Sequence, residues 1–339
     1  KSRQDEIAAT IALDVGKPLW EAKTEAGAMV GKIDLSISSY QQRTGTNVQE
    51  GAAFTTALTH RPHGVMIVLG PYNFPGHLPN GHIVPALLAG NTIVHKPSEY
   101  TPLVGQLLIE CMAEAGFPKG VINLTQGDGL TGMMLTKHED VDGVLFTGST
   151  RTGIALHKQF AGQPGKMLAL EMGGNNPLIV YQNKDHKAAV YHTIQSAFIT
   201  SGQRCTCSRR LIVVDDAQGH AYVDALTKGL SGITAALPQD NGNAFMGPVV
   251  HNRIADQLMI AQDSLIKGGA KELVRMQRPS NDYALLTPGL LDVSAVPDIE
   301  DEELFGPMLQ LYWANDLDHA IDMANDTRFG LSAGMFTDN

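Results

Sequence analysis

Cysteine and charge are both scarce in this chain, and each scarcity removes a class of protein. The cysteines, Cys111, Cys205 and Cys207, number 3 in 339 residues, too few and of the wrong parity for a disulfide framework. They form no Cys-x-x-Cys pair, and the 12 histidines supply no His-x-x-x-His or His-Glu-x-x-His, so no metal site is expected. Charged residues make up 18% of the chain, and the net charge is −10. Lysines and arginines scattered through an acidic chain do not form the basic stripe that a phosphate backbone requires, so nucleic acid is not an expected partner. No apolar run reaches the length of a membrane span, so a membrane is not expected either. Sparse cysteine fits a reducing, cytoplasmic location.

With 43% apolar residues, the chain is expected to form about two globular domains with a large buried core. It starts at Lys1 inside a helical pattern and stops just after the apolar, strand-like run 331–336, so both ends are expected to be cut. Ile7, Ile11 and Val15, with Ala8 and Ala12, form a helical stripe that Gly16 and Pro18 end. Ala22, Ala26, Met29, Ile33, Ile37 and Tyr40 form a second. From Thr44 to Arg61 polar alternation suits a hairpin or bridging excursion. Then short apolar runs at 65–69, 92–95, 121–125, 144–147 and 167–170 alternate with helical stretches near 77–89, 101–115, 129–138 and 150–161. Repeated βα units with all-apolar strands predict a parallel sheet covered on both faces, with ligands at the carboxyl ends of its strands. Gly173-Gly174 interrupts this pattern, and a domain boundary is expected near 173–176. Beyond it the pattern predicts a strand over 177–181, a helix over about 185–200, a turn holding Cys205, a strand over 211–214 and a helix near 218–230.

Cys205 lies in Ser201-Gly-Gln-Arg-Cys-Thr-Cys-Ser-Arg-Arg210, a basic, glycine-containing turn between helix and strand. Such a setting favours a thiolate, although a small buried residue is the plainer reading. Cys111 has helical spacing and reads as core, and Cys207 as a neighbour of Cys205. Asn73, fixed in Pro71-Tyr-Asn-Phe-Pro75, is either an oxyanion donor or a turn residue. Glu171, before two glycines, is either a general base or a loop carboxylate. Lys96-Pro-Ser-Glu99 is either a ligand site or a solvated pair. Gly127-Asp-Gly-Leu-Thr-Gly132 fits the dinucleotide fingerprint, but it follows the third strand, and Thr147 stands where an acidic residue is required. Gly148-Ser-Thr150 opens a helix, where free N–H groups suit a phosphate or where Ser149 or Thr150 simply caps. Glu303 and Phe305 lie in Asp301-Glu-Glu-Leu-Phe-Gly-Pro307, which otherwise reads as an acidic loop over packing.

Taken in order, these stretches, with Asn325-Asp-Thr-Arg-Phe-Gly-Leu331, resemble the NAD(P)-dependent aldehyde dehydrogenase superfamily over nearly the whole chain. The resemblance implies an α/β fold: a Rossmann-type parallel-sheet cofactor domain at 1–173, with the bridging hairpin at about 45–61, and an α/β catalytic domain at 174–339. It also implies that the C-terminal part of the catalytic domain and an oligomerisation segment lie beyond this chain, with a homo-oligomer at full length. It makes Cys205 the nucleophile, Asn73 and the Cys205 N–H the oxyanion donors, and Glu171 the base that hydrolyses the thioester left after hydride passes to the nicotinamide. For the cofactor it implies Lys96 and Glu99 at the adenine ribose and Gly148 and Ser149 at the pyrophosphate, with Ser98 and Gly129 as further cofactor-binding residues. Glu303 and Phe305 are implied at the nicotinamide. A carboxylate at Glu99 would repel a 2′-phosphate, so NAD is expected over NADP.

Within the family, the stretches 75–85, 171–177 and 203–210 resemble members that oxidise a dicarboxylate-bearing semialdehyde in arginine catabolism. Cations for that substrate are sought at Arg204, Arg209, Arg210, His77 and His82, with Arg209 and Arg210 read as structural. Tyr72 stands where a Trp is frequent and Asn175 where a Lys or Ser is, which bears on the shape of the substrate mouth. Three rivals remain at this point: transfer of the acyl group to coenzyme A, a nicotinamide-independent cysteine hydrolase, and a non-catalytic descendant. Retention of Glu171, of the five-strand dinucleotide region, and of Cys205 with Asn73 argues against each in turn.

Overall fold

The computed structural model describes residues 1–238 and 244–339. Its contacts divide into two units, one of Lys1–Val15 with Leu19–Met172, the other of Gly16–Pro18 with Gly173–Asn339. The division thus falls between Met172 and Gly173, and it counts the Gly16–Pro18 turn with the second unit.

In the first unit, α1 (Gln4–Val15) buries Ala8, Ile11, Ala12 and Val15 of the stripe read from spacing and leaves its Ile7 half-buried. Gly16, at φ 85°, then turns the chain. Helix α2 (Leu19–Arg43) departs from expectation in its second half. Ala22, Ala26 and Met29 are buried, but Ile33, Ile37 and Tyr40 are 43%, 39% and 39% exposed, and Ser36 is the buried residue there. Period marks one face of a helix, not how far along it a neighbour extends. Strands β1 (Asn47–Glu50) and β2 (Thr55–Leu58) pair antiparallel as the expected hairpin, exposed at every residue.

Five parallel strands follow: β3 (Val65–Leu69), β4 (Thr92–Lys96), β5 (Ile122–Leu124), β6 (Gly143–Thr147) and β7 (Met167–Glu171). They alternate with α3 (His77–Leu88), α4 (Pro102–Glu114), α5 (Gly129–Thr136) and α6 (Thr150–Phe160). The sheet order β5-β4-β3-β6-β7 is the doubly wound 3-2-1-4-5. Strand order reverses between β3 and β6, so the crevice there lies between the loop bearing Asn73, after β3, and Gly148-Ser149, after β6. In such a sheet the ligand binds at this point.

Within this sheet His95 is fully buried, with Nδ1 3.1 Å from the Val68 carbonyl and Nε2 without a hydrogen-bond partner. Nδ1 therefore carries the proton and donates. Burial above all holds the pKa down at about 4; the charges of Lys96 and His82 add to this, and the Val68 bond opposes it. A histidine whose folded pKa lies below its unfolded value of 6.5 contributes stability above pH 6.5, and this is lost as pH falls from 6.5 toward 4. Denaturant unfolding at pH 5 is expected to show about 2 kcal/mol lost through this group relative to pH 7. His95→Asn should lose correspondingly less over the same interval; an equal loss would remove the assignment.

The second unit carries a six-stranded sheet in the order β10-β11-β12-β9-β8-β13. Its strands are β8 (Asn176–Val180), β9 (Ser208–Val214), β10 (Lys271–Val274), β11 (Gly289–Asp292), β12 (Met308–Ala314) and β13 (Gly334–Phe336). All pairs are parallel except β10 with β11. The helices are α7 (His186–Phe198), α8 (Ala217–Leu230), α9 (Asn252–Lys267) and α10 (Leu317–Asn325). Side chains alternate along the central strands. Leu178, Val180, Leu211, Val213, Leu309 and Leu311 pack with Phe198, Tyr222 and Leu226 of α7 and α8, whereas Ile179, Ile212 and Ala314 pack with Ala320 of α10. The run 331–336 reads as strand-like, and its apolar character suggests a buried strand. It supplies the edge strand β13 instead, with Leu331 and Met335 each 42% exposed. Among the described residues, no helix is long and apolar enough to cross a membrane.

Candidate active site

Helix α7 ends at Phe198, and the next turn is strained. Thr200 (φ 57°), Ser201 (φ 54°) and Gly202 (φ 70°) are all left-handed, a conformation that costs a β-branched threonine most. Local bonds hold it: Ser201 Oγ donates to Gly247 O (2.7 Å), Arg204 Nε to Thr200 Oγ1 (2.8 Å), and Val250 N to Gln203 Oε1 (2.9 Å). At Gly202 a Cβ would strike the Gly306 carbonyl oxygen, so only glycine fits. This sharp reversal leaves Cys205 half-buried in the turn before β9, whereas Cys207 is 1% exposed and its Sγ lies 3.8 Å from Ile199 O. Asn176, itself buried, donates from Nδ2 to both Cys205 O (2.7 Å) and Cys207 O (2.9 Å) and accepts at Oδ1 from Ser332 N (3.2 Å). The backbone of the cysteine turn is therefore held from its carbonyl side.

In the same unit Glu303 accepts from Gly174 N (3.3 Å) and lies 3.9 Å from Arg209 Nη2. Burial pushes its carboxyl pKa up, and the Arg209 charge and the Gly174 bond pull it back. Two residues earlier, Asp301 takes bonds from Asn175 Nδ2 (2.8 Å), Thr327 Oγ1 (2.9 Å) and Arg328 N (2.7 Å). These bonds lock the 301–303 loop to the 173–176 turn and to the 325–331 stretch.

In the first unit, Asn73 is 5% exposed in the loop between β3 and α3. The start of α3 is pinned by the Glu25 carboxylate, which accepts from Gly76 N (3.1 Å) and His77 N (3.2 Å). Glu171 closes β7, exposed, and its carbonyl accepts from Gly148 N (3.0 Å), which ties these two predicted residues together. Lys96 is buried at the end of β4, and Nζ donates to Pro97 O (2.5 Å) and Gly127 O (2.7 Å). Burial lowers its pKa, opposed by the charges of Glu99 and Asp128. Ser98 is buried beside it, with Oγ accepting from Tyr100 N (3.3 Å), and Glu99 is exposed. Tyr72 lies half-buried with its ring edge-on to Tyr100, and His77 likewise against Phe74.

A dinucleotide fits these residues at one helix start better than at the other. At α5 the Asp128 carboxylate already accepts from Leu130 N (2.9 Å) and Thr131 N (3.3 Å), so a phosphate would meet negative charge, and the Gly127–Gly132 fingerprint is a capped helix start. At α6 the cap is the neutral Ser149, Thr150 Oγ1 is buried without a hydrogen-bond partner, and a Cβ at Gly148 would meet the Phe146 ring. Gly129 is exposed, with open space where its Cβ would be. Among the described residues no cluster of three or more acidic, His or Cys side chains is placed to hold a metal.

Some expectations for substrate cations change. His82 is mostly buried, with Nε2 2.9 Å from Thr147 Oγ1, and burial first, then the Lys32 charge, lowers its pKa to about 4; it is neutral at pH 7 and offers a carboxylate no charge. Arg210 is buried and donates to Asn175 O (2.9 Å), Met323 O (2.8 Å) and Ala324 O (2.9 Å), closing the end of α10, so it is structural as expected. Asn175 is 4% exposed and bonded to Asp301, so it shapes the loop rather than a substrate mouth. Asn176, Asp301 and Thr200 escaped the sequence reading. Two asparagines before a proline that opens a strand were the signal for the first.

A dinucleotide-type sheet in one unit and a half-buried cysteine in a strained turn ahead of a parallel strand in the other are features expected of an α/β dehydrogenase. The sequence matches the aldehyde dehydrogenase family over residues 1–339, and the chain belongs to that family. It is 54% identical over 339 residues to N-succinylglutamate 5-semialdehyde dehydrogenase of Ectopseudomonas mendocina (strain ymp), covering 100% of this chain and 70% of that one. Among solved structures it is similar to NADP-dependent glyceraldehyde-3-phosphate dehydrogenase of Bacillus halodurans C-125 in complex with NADP. That match has a TM-score of 0.90 and 30% identity, covering 100% of this chain and 71% of the other. A chain from Sinorhizobium meliloti 1021 solved with NAD matches with a TM-score of 0.93 and 25% identity, covering 100% and 70%.

Proposed function

We propose that this chain is the greater part of an enzyme that oxidises N-succinylglutamate 5-semialdehyde to N-succinylglutamate with NAD. The observation that carries the substrate is the 54% identity, spread over all 339 residues, to a protein of that name. Aldehyde oxidation itself rests on membership of the family.

Cys205, as thiolate, attacks the aldehyde carbon, and the oxyanion takes hydrogen bonds from the Asn73 amide and the Cys205 N–H. When bound, NAD supplies the hydride acceptor. Cys205 then holds the acyl group as a thioester, and Glu171 takes a proton from the water that hydrolyses it. Supporting these roles, Cys205 is half-buried and Glu171 exposed, whereas Asn73 is buried in a loop braced by two prolines. Ser149 and Gly148 would hold the pyrophosphate and Lys96, Ser98 and Glu99 the adenosine side, with Gly129 a further cofactor contact that leaves open space. Glu303 and Phe305 hold the nicotinamide riboside. Arg204, His77 and Tyr72 are the candidates for the substrate, the first two to meet its carboxylates; the bond from Arg204 Nε to Thr200 Oγ1 orients that guanidinium within the cysteine turn. A cytoplasmic homo-oligomer of the full-length protein goes with this reading on family resemblance.

The exposed carboxylate of Glu99 favours a ribose 2′-hydroxyl over a 2′-phosphate. The test is NADH or NADPH formation by the full-length protein over a panel of semialdehydes. The succinylated substrate with NAD is expected to exceed simple aliphatic aldehydes, and NADP, by at least about tenfold in kcat/KM, the worth of one well-placed charge interaction. No activity on the succinylated substrate beside strong activity on aliphatic aldehydes would overturn the substrate. Comparable kcat/KM for NAD and NADP would overturn the cofactor preference.

A further inference from the structure

We infer that Arg209 is a positioning residue that sets the nucleophile peptide and the Glu303 loop together. The inference rests on the roles proposed above for Cys205 and Glu303. The first observation is its place in the sheet. Along the β8–β9 pair, Asn176 stands opposite Ser208 and Pro177 opposite Arg210, so Arg209 is the extra residue of a β-bulge. A bulge turns its side chain away from the alternation that the neighbouring strand residues follow.

The redirected guanidinium, 1% exposed, forks between two loops. Nη2 donates to Arg204 O at 2.9 Å and Nη1 to Gly306 O at 3.3 Å, and the group lies 5.1 Å over the Phe305 ring. Glu303 Oε1 is 3.9 Å from Nη2. Arg204 O accepts a second bond, from Cys207 N at 3.1 Å. Arg204 O and the Cys205 N–H belong to one planar trans peptide and point in opposite directions, so fixing the carbonyl fixes the direction of the N–H. That N–H is one of the two oxyanion donors, and Gly306 O belongs to the loop that carries Glu303 and Phe305. One rigid, planar group therefore sets both the oxyanion donor and the nicotinamide-side loop.

A role in packing alone explains this residue poorly. Arg209 Nε is buried without a hydrogen-bond partner, and a buried cation with an unmet donor is a costly way to fill volume that an apolar side chain would fill better.

The test uses the full-length protein with Arg209→Lys, which keeps the charge but loses the fork, and Arg209→Gln, which keeps a planar donor for one carbonyl and loses the charge. Two readouts separate the two loops. Hydrolysis of a p-nitrophenyl ester without NAD needs Cys205 and its N–H but no nicotinamide, whereas the KM for NAD reports the Glu303 loop. Rates are expressed per folded protein, taken from the fraction that elutes with the parent on size exclusion and matches its circular dichroism, so that misfolded protein is not counted. Both variants are expected to lose about 10- to 100-fold in ester kcat while the ester KM changes less than about twofold, and to raise the KM for NAD. Ester kcat per folded protein within about twofold of the parent in either variant would overturn the inference. Failure of the proposed function shows separately, as a parent protein that reduces no NAD with any aldehyde.

Discussion

Replacing Cys205 with alanine is expected to lower aldehyde-dependent NADH formation by at least about 10⁴-fold, while NAD binding and folding stay close to the parent. The size follows from the chemistry. Without the thiolate no covalent adduct forms, and hydride would have to leave a free aldehyde or its hydrate with no nucleophile to support the developing carbonyl. Sparing of the fold follows from the contacts. Asn176 holds this turn through the carbonyls of Cys205 and Cys207, and Arg209 holds it through that of Arg204, bonds that alanine keeps. The half-buried position also limits the cavity that loss of one sulfur leaves. Kinetics and NAD titration on the same preparation check both halves. Oxidation that survives in Cys205→Ala would remove the nucleophile.

The second large effect is expected at Glu171. Glu171→Gln should lower steady-state turnover by about 10²- to 10⁴-fold, the usual worth of a general base. The first turnover should persist, because attack and hydride loss precede the step that needs this carboxylate. Mixing enzyme, NAD and semialdehyde should therefore give a burst of about one NADH per Cys205 followed by a near stop, the mark of an acyl-enzyme that hydrolyses slowly. The bond that Gly148 N donates here goes to the main-chain carbonyl of Glu171, which the substitution keeps, so the turn before α6 should stay in place. An unchanged steady-state rate, or a burst and a steady state lost in equal measure, would contradict the assignment.

Much of the first unit was legible because its strands are short, mainly apolar runs between helices, and the strand ends then pointed to Asn73, Lys96, Ser149 and Glu171. What failed there depends on neighbours remote in sequence. The α2 stripe is periodic through Tyr40, but beyond Met29 the buried position is Ser36, and Ile33, Ile37 and Tyr40 stay exposed. Glu25, which pins α3, was invisible for the same reason: its partners Gly76 and His77 lie about fifty positions away. His82 read as a cation because composition reports a side chain's ordinary pKa, whereas burial beside Thr147 sets the actual one.

In the second unit the cysteine turn announced itself through glycine and arginine, but not how it is held. Three successive left-handed residues are unusual enough that no local propensity would propose them for Thr200 and Ser201. Asn176 reaches the turn across a strand pair, and Arg209 does so only because a bulge breaks the two-residue alternation from which a strand's faces are read. Arg210, one position on, follows the alternation, and its structural reading held. Both arginines looked alike in the sequence; the bulge separates a clamp on the end of α10 from a clamp on the cysteine turn.

The most direct measurement of covalent catalysis by Cys205 is the mass spectrum of Glu171→Gln after a single mixing with NAD and N-succinylglutamate 5-semialdehyde. The succinylglutamyl acyl group is expected on the peptide that contains Cys205, joined as a thioester that hydroxylamine releases. Stoichiometric NADH with no acyl group on that peptide would contradict the mechanism.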